Sequence, residues 1–272
     1  MSEKWLAELH GFDWLRDLRA LGGDNARRQA RDLVNDWLTR QSNWHEVAWR
    51  PDVIGNRIFC WLGQHDFFCA SADDEYRRKY FSSLVRQSKH LSRTLLRGTS
   101  GCGLILAAKG LITAGLSLPG HSSWVSQGLR ALDRACSQQI LADGGHISRN
   151  PLVQTQVLRH LVDVRTALLA AQNEIPTFLI ASIDRAAPFL RMLRHNDGSL
   201  ALFNGGSESP GWLIDHLLAQ ANSKGRALNS APHSGYERFI ANRAVLIMDT
   251  SSPQRGKNNI NPHASTLAIE FS

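Results

Sequence analysis

Between Asp143 and Pro151 the chain reads DGGHISRNP, a connection dense in groups that hold anions or move protons. His146 brings an imidazole, a group that ordinarily titrates near neutral pH. Arg149 is a permanent fork suited to carboxylate, sulfate or phosphate. Asn150 precedes Pro151, which opens a helix whose N-terminus favours anions. One reading is a clamp on a substrate carboxylate. In the other, Asp143 braces the turn, Arg149 pairs with an acid and His146 packs on a neighbouring helix. In APHSGYERF, His233 stands three residues before Tyr236. That pair could act as base and acid, or could open a strand with Tyr236 packed beneath a sheet. RHNDGSLALFNGG adds His195 and Asp197 at a junction where clefts form. Asn204 there is either an amide able to neutralise a carboxylate or a turn residue before two glycines.

Composition narrows the partners. A net charge of +7 and a pI near 9.6 favour an anionic ligand. Arginine outnumbers lysine, which suits such a ligand and follows equally from GC-rich coding. No nucleic-acid motif is present, so nucleic acid is not an expected partner. No P-loop, dinucleotide fingerprint, zinc signature or nucleophile elbow occurs, so neither cofactor nor metal is expected. Cys60, Cys69, Cys102 and Cys136 are widely spaced within apolar patterns and read as buried reduced thiols. The N-terminus, MSEKWLAELHGFDWLRDL, is a charged amphipathic helix with no apolar core of an export signal. No apolar run approaches the ~20 residues of a membrane span; Lys109 and its short length exclude GLILAAKGLITAGL.

The elements that must position these groups are mostly helical. In DNARRQARDLVNDWLTRQ, the residues Ala26, Ala30, Leu33, Val34, Trp37 and Leu38 recur at helical spacing, with Asp24 as the expected cap. PDVIGNRIFCWLGQHDFF is apolar enough for an inner helix, and five more helical patterns follow up to about residue 195, joined by short turns. Long helices with short connections pack antiparallel, and this many suggest a layered toroid or solenoid. Many of the eight tryptophans fall early in the chain. They read as core at helical spacing, with stacking on sugar rings as the functional alternative. Beyond residue 195, GYERFIANRAVLIMDTSS and ASTLAIEFS alternate as strands do. The expected organisation is a helical domain over 1–196, a junction over 197–232 and the start of a sandwich over 233–272, cut short in a longer protein because so few strands cannot bury their own core.

An all-helical half, a DGG-plus-histidine loop, RHNDGSLALFNGG, APHSGYERF and finally HASTLAIEFS, in that order, resemble the bacterial heparinase II/III-like proteins. The resemblance implies a mainly α fold, an incomplete (α/α) toroid of antiparallel helices followed by the first strands of an antiparallel β-sandwich. It also implies an acidic, uronate-containing polysaccharide or glycosaminoglycan-like glycan as partner, and the cell envelope or periplasm as location, with the cytoplasm left open by the missing signal. Lyases of this kind work by β-elimination. An amide or cation neutralises the uronate carboxylate, a tyrosine or histidine takes the C5 proton, and a second such group protonates the leaving oxygen.

On that pattern the catalytic candidates are His146, Tyr236 and His263, with Arg149, Asn150, His195, Asn204 and His233 binding substrate. The lyases' Asn-His pair matches Cys102 and Gly103, and their tyrosine after the DGG loop matches Val153. The aspartate that often follows the sandwich histidine is Ser265. Two functions therefore stand side by side. One is a polysaccharide lyase. The other is a glycan-binding or envelope-assembly protein that kept the fold and lost catalysis.

Overall fold

The computed structural model describes residues 2–41, 43–97, 99–251 and 268–272. The chain divides into two compact units, residues 1–135 and 136–272. Among the described residues the architecture is mainly α and ends in a small antiparallel sheet, the fold class that the sequence implies.

The first unit contains α1 (Glu3–Gly11), α2 (Leu15–Leu21), α3 (Gly23–Arg40), α4 (Pro51–Gly63), the short α5 (His65–Phe68), α6 (Asp74–Thr94), α7 (Cys102–Ser117) and most of α8 (Ser123–Gln139). Its centre is the pairing of α4 with α7, two helices buried on almost every side. Their axes approach closely because glycines meet. A Cβ on Gly110 would lie 2.6 Å from the Gly55 carbonyl carbon, and one on Gly55 would lie 2.6 Å from the Ala107 Cα. No side chain fits there. GLILAAKGLITAGL is thus a core helix.

The tryptophans expected in the core are partly there. Trp37, Trp49, Trp61 and Trp124 are buried, whereas Trp5, Trp44 and Trp212 are exposed. Trp37 and Trp61 meet edge to face at 5.2 Å, an arrangement aromatic quadrupoles favour. Against them lies the fully buried Arg57, its guanidinium carbon 4.1 Å from the Trp37 ring centre. The side chain of Gln87 and the carbonyls of His10 and Ala48 accept its donors at 2.7, 2.8 and 3.0 Å. Burial lowers its pKa to about 9, so it remains a cation at neutral pH. Two expectations for α3 need correction. Asp24 sits inside the first turn, where it pairs with Arg27 at 2.8 Å, and Gly22 is the cap. Leu33 is exposed rather than on the buried face.

The second unit holds the end of α8, then α9 (Pro151–Ala170), α10 (Thr177–Met192), a 3-10 turn at Phe203–Gly205 and α11 (Gly211–Ala221). Asn150 caps α9 by accepting from the Leu152 and Val153 amides, and Pro151 supplies the pre-set φ of the first position. The α11 helix corrects the expectation that the helices end near residue 195. The strands β1 (Ser230–Ala231), β2 (Tyr236–Ala241), β3 (Ala244–Asp249) and β4 (Ala268–Phe271) pair antiparallel in chain order. Asn242, in the left-handed region at φ 56°, turns the β2–β3 hairpin. The register sets Tyr236 opposite Asp249, and Arg238 opposite Ile247. Period-two alternation then puts Tyr236, Arg238, Ile247 and Asp249 on one face. That face carries the candidate site. The other presents exposed Phe239, Ile269 and Phe271.

Candidate functional site

The DGG turn is dictated by packing. Gly144 adopts φ 90°, and any Cβ on it would run into the backbone carbonyl of Arg185 in α10. A Cβ on Gly145 would collide with the Ser234 hydroxyl and the Phe189 ring. Asp143 accepts from the Gly145 amide at 3.1 Å, the Ser234 amide at 2.7 Å and the Ser234 hydroxyl at 2.7 Å. It ties the loop to the turn that precedes β2. Gln154, on the first turns of α9, accepts from the His146 amide at 2.7 Å and donates to the carbonyls of Gly144 and Ala186 at 3.0 and 3.2 Å. Sequence reasoning missed Gln154, since nothing in its local pattern separates a buried brace from a surface glutamine.

His146 is buried in this frame. Its Nδ1 accepts from the Ser148 amide at 3.1 Å, with the Ser148 hydroxyl 2.8 Å away, and its Nε2 faces the Gln139 side-chain oxygen at 3.1 Å. An acceptor at Nε2 and a backbone donor at Nδ1 assign the neutral tautomer with hydrogen on Nε2. Burial lowers its pKa to about 4. An unfolded histidine titrates near 6.5, so the unfolded chain binds more protons between pH 6.5 and 4. Stability from this group is complete above pH 6.5 and falls as pH drops toward 4, by on the order of 3 kcal/mol. Denaturant unfolding at stepped pH, wild type against His146→Gln, should show that loss shrink in the variant. An equal loss in both proteins would show that His146 does not cause it.

Arg149, Asn150, Asn204 and Tyr236 converge, with Asp249 as the partner that sequence reasoning did not supply. Arg149 and Asn204 both occupy the left-handed region, at φ 55° and 52°. Such backbone persists in non-glycine residues only where the surroundings fix it. Here the fixing bonds are dense. The Arg149 guanidinium lies 3.2 Å from an Asp249 carboxylate oxygen and 3.4 Å from the Asn204 amide oxygen. The Asn204 amide nitrogen lies within 2.9 Å of both Asp249 and the Tyr236 oxygen. The Tyr236 hydroxyl donates to the Arg149 carbonyl at 2.6 Å, and the Asn150 amide donates to the Asn204 carbonyl at 2.9 Å. Tyr236 is fully buried, between Phe189 and Phe203. Burial, followed by the Asp249 charge, pushes its pKa far above the ordinary phenol value.

Beside this network lies a cavity of about 260 Å³, also lined by Leu202, Ser251 and Glu270. Glu270 is shared with a larger cleft of about 670 Å³, lined among others by His195, Asp197, Ser199 and Glu208. The His195 Nε2 is 2.9 Å from Glu270 and its Nδ1 is 3.0 Å from the Ser272 hydroxyl. The other Glu270 oxygen accepts from the Leu202 amide at 2.7 Å. Bonds from the Ser199 hydroxyl and amide hold the Asp197 carboxyl below its usual range. His233 is exposed on the turn before β2, and His263 and Ser265 lie outside the described residues. Chemically, Arg149 is already matched to Asp249, and two carboxylates border the smaller cavity. A uronate placed there meets more negative than positive charge.

Two family models account for nearly the whole chain: the heparinase II/III N-terminus over residues 10–221, and the heparinase II/III-like C-terminal region over residues 223–272. The chain belongs to the heparinase II/III family. It is similar to FtsZ-localized protein C of Caulobacter vibrioides, 32% identical over 281 residues, 99% of this chain and 46% of that relative. Among solved structures, heparinase III superposes with a TM-score of 0.73 at 15% identity, covering 93% of this chain and 46% of that one. Heparan sulfate lyase HepC from Pedobacter heparinus gives 0.67 at 17%, covering 98% and 48%. At these identities the likeness to the lyases is one of fold. The chain spans about half the length of these relatives.

Cys102, Gly103 and Val153, the positions that the resemblance sets against the lyases' Asn-His pair and tyrosine, lie at the starts of α7 and α9. Cys102 starts α7 half-buried, and burial raises its thiol pKa. Gly103 carries no side chain. Val153 is an aliphatic residue in the first turn of α9.

Proposed function

We propose that this heparinase II/III-family chain binds an acidic polysaccharide without cleaving it, as part of an envelope-assembly protein. The observation that carries this reading is the Tyr236 hydroxyl. It is buried, donates to the Arg149 carbonyl, and has a pKa too high to supply a base at physiological pH. With His146 held neutral inside the loop and Arg149 matched by Asp249, the groups that suggested catalysis serve as the frame of the second unit. The relative named for its localisation to FtsZ makes co-localisation with FtsZ, followed by a fluorescent fusion, the expectation for location. No helix among the described residues is long and apolar enough to cross a membrane. The envelope or periplasm is proposed from the family alone.

The test is a titration with alginate and heparan sulfate at stepped salt. Binding that weakens as salt rises supports the reading. No binding to either polymer at low salt would overturn it.

A second reading, lyase action, is favoured by one feature. His195 is held by Glu270 beside the larger cleft, as a general base is held by a carboxylate. If that reading is right, unsaturated product forms and His195→Ala stops it.

A further inference from the structure

From Tyr76 to Leu132 the sequence contains no aspartate or glutamate, yet the segment carries every lysine and arginine of α6. Near the start of that helix Arg77 and Lys79 are matched by Asp74 and Glu75. Further along, Arg86, Lys89 and Arg93 are exposed and make no ion pair among the described residues. Their spacing of three and four residues puts all three on one stripe, about 10 Å long.

The stripe borders a cleft of about 490 Å³ in the first unit, lined by Trp49, Ser82, Val85, Arg86, Lys89, His90 and Arg93. Trp49, buried itself, forms part of the wall. The Arg86 guanidinium carbon lies 5.7 Å from its ring centre, and the His90 ring meets it edge-on at 5.3 Å. No carboxylate lines this cleft among the described residues. This is the opposite of the cavity beside Arg149.

We propose that this α6 cleft is the binding site for the acidic polysaccharide, gripping successive carboxylate or sulfate groups through Arg86, Lys89 and Arg93. The inference rests on the glycan-binding reading above and gives that ligand a location. Three cations in a row match a linear polyanion better than one small ion. Arginine forks bind carboxylate and sulfate through paired hydrogen bonds. A nucleic acid would want exposed aromatic faces for its bases, and here the indole is buried. A lipid surface would meet cations on a convex crest, and these cations border a concavity.

The experiment compares wild type, the triple variant Arg86→Glu/Lys89→Glu/Arg93→Glu and Trp49→Phe. Affinity for alginate and heparan sulfate is measured against salt, and tryptophan emission is followed. At about threefold per exposed ion pair, the triple variant should bind roughly 30-fold more weakly. Its dependence of log affinity on log salt should flatten by roughly three. The three side chains are exposed, so its unfolding transition should match wild type. Emission should change on binding in wild type and much less in Trp49→Phe.

If wild type and triple variant bind the glycans equally, the α6 site is overturned and the binding reading stands. If wild type binds neither glycan, both fall. Tighter, competing binding of single-stranded DNA or of phosphatidylglycerol vesicles at the same residues would overturn the glycan assignment.

Discussion

Asp249→Ala should destabilise the second unit by about 3–5 kcal/mol, measured by denaturant unfolding. The figure follows from what the substitution leaves behind. Arg149 is about nine-tenths buried and has Asp249 as a carboxylate partner at 3.2 Å. Removing one member of a buried pair strands the other charge, at that order of cost. Asp249 also accepts from the Asn204 amide and from the Ser251 amide and hydroxyl. The left-handed backbone of Arg149 and Asn204 therefore loses part of what fixes it. Arg149→Met combined with Asp249→Leu should recover most of the loss, because a pair replaced by apolar residues leaves no stranded charge. If Asp249→Ala unfolds like wild type but abolishes glycan binding, the network is a ligand site rather than a frame.

Gly110→Ala should be still more damaging, by more than about 4 kcal/mol, enough to remove the cooperative transition of the first unit. The added methyl meets the backbone of Gly55 on the facing helix, and backbone cannot swing aside as a side chain can. Relief requires α4 and α7 to separate, which opens the most buried contact of the unit. Gly63→Ala is the matched control. It lies at the end of α4 with nothing within 4 Å of the added atom, so the change should be neutral or stabilising by up to about 1 kcal/mol. Calorimetry of both variants decides the point. A wild-type melting profile for Gly110→Ala would contradict the backbone contact.

The helices were legible because apolar spacing repeats over many residues, as in α3, where Ala26, Ala30, Val34, Trp37 and Leu38 are all buried. The missed α11 carries a readable signal too: Pro210 precedes GWLIDHLLAQA, whose apolar residues recur on one face, with Ile214, Leu217 and Leu218 buried. The loop DGGHISRNP announced its turn, but its chemistry depended on partners far along the chain. Asp249 is a hundred residues from Arg149, and only the β2–β3 register puts it beside Tyr236. Gln154 and Glu270 are ordinary polar residues in sequence, given meaning by the groups folded against them. Asp143 could be read as a brace, though Ser234, the residue it braces, could not. The sequence offers His146 and Tyr236 as catalytic candidates. Local sequence does not reveal that both would be buried with their polar atoms engaged.

The most direct measurement incubates the protein with alginate and heparan sulfate under conditions where binding is seen, and follows the ultraviolet absorbance of the unsaturated uronate that β-elimination creates. The expected result is saturable binding with no rise in absorbance, in wild type and Tyr236→Phe alike. A steady rise in wild type that Tyr236→Phe abolishes, with folding intact, would contradict a structural role for Tyr236 and restore the lyase.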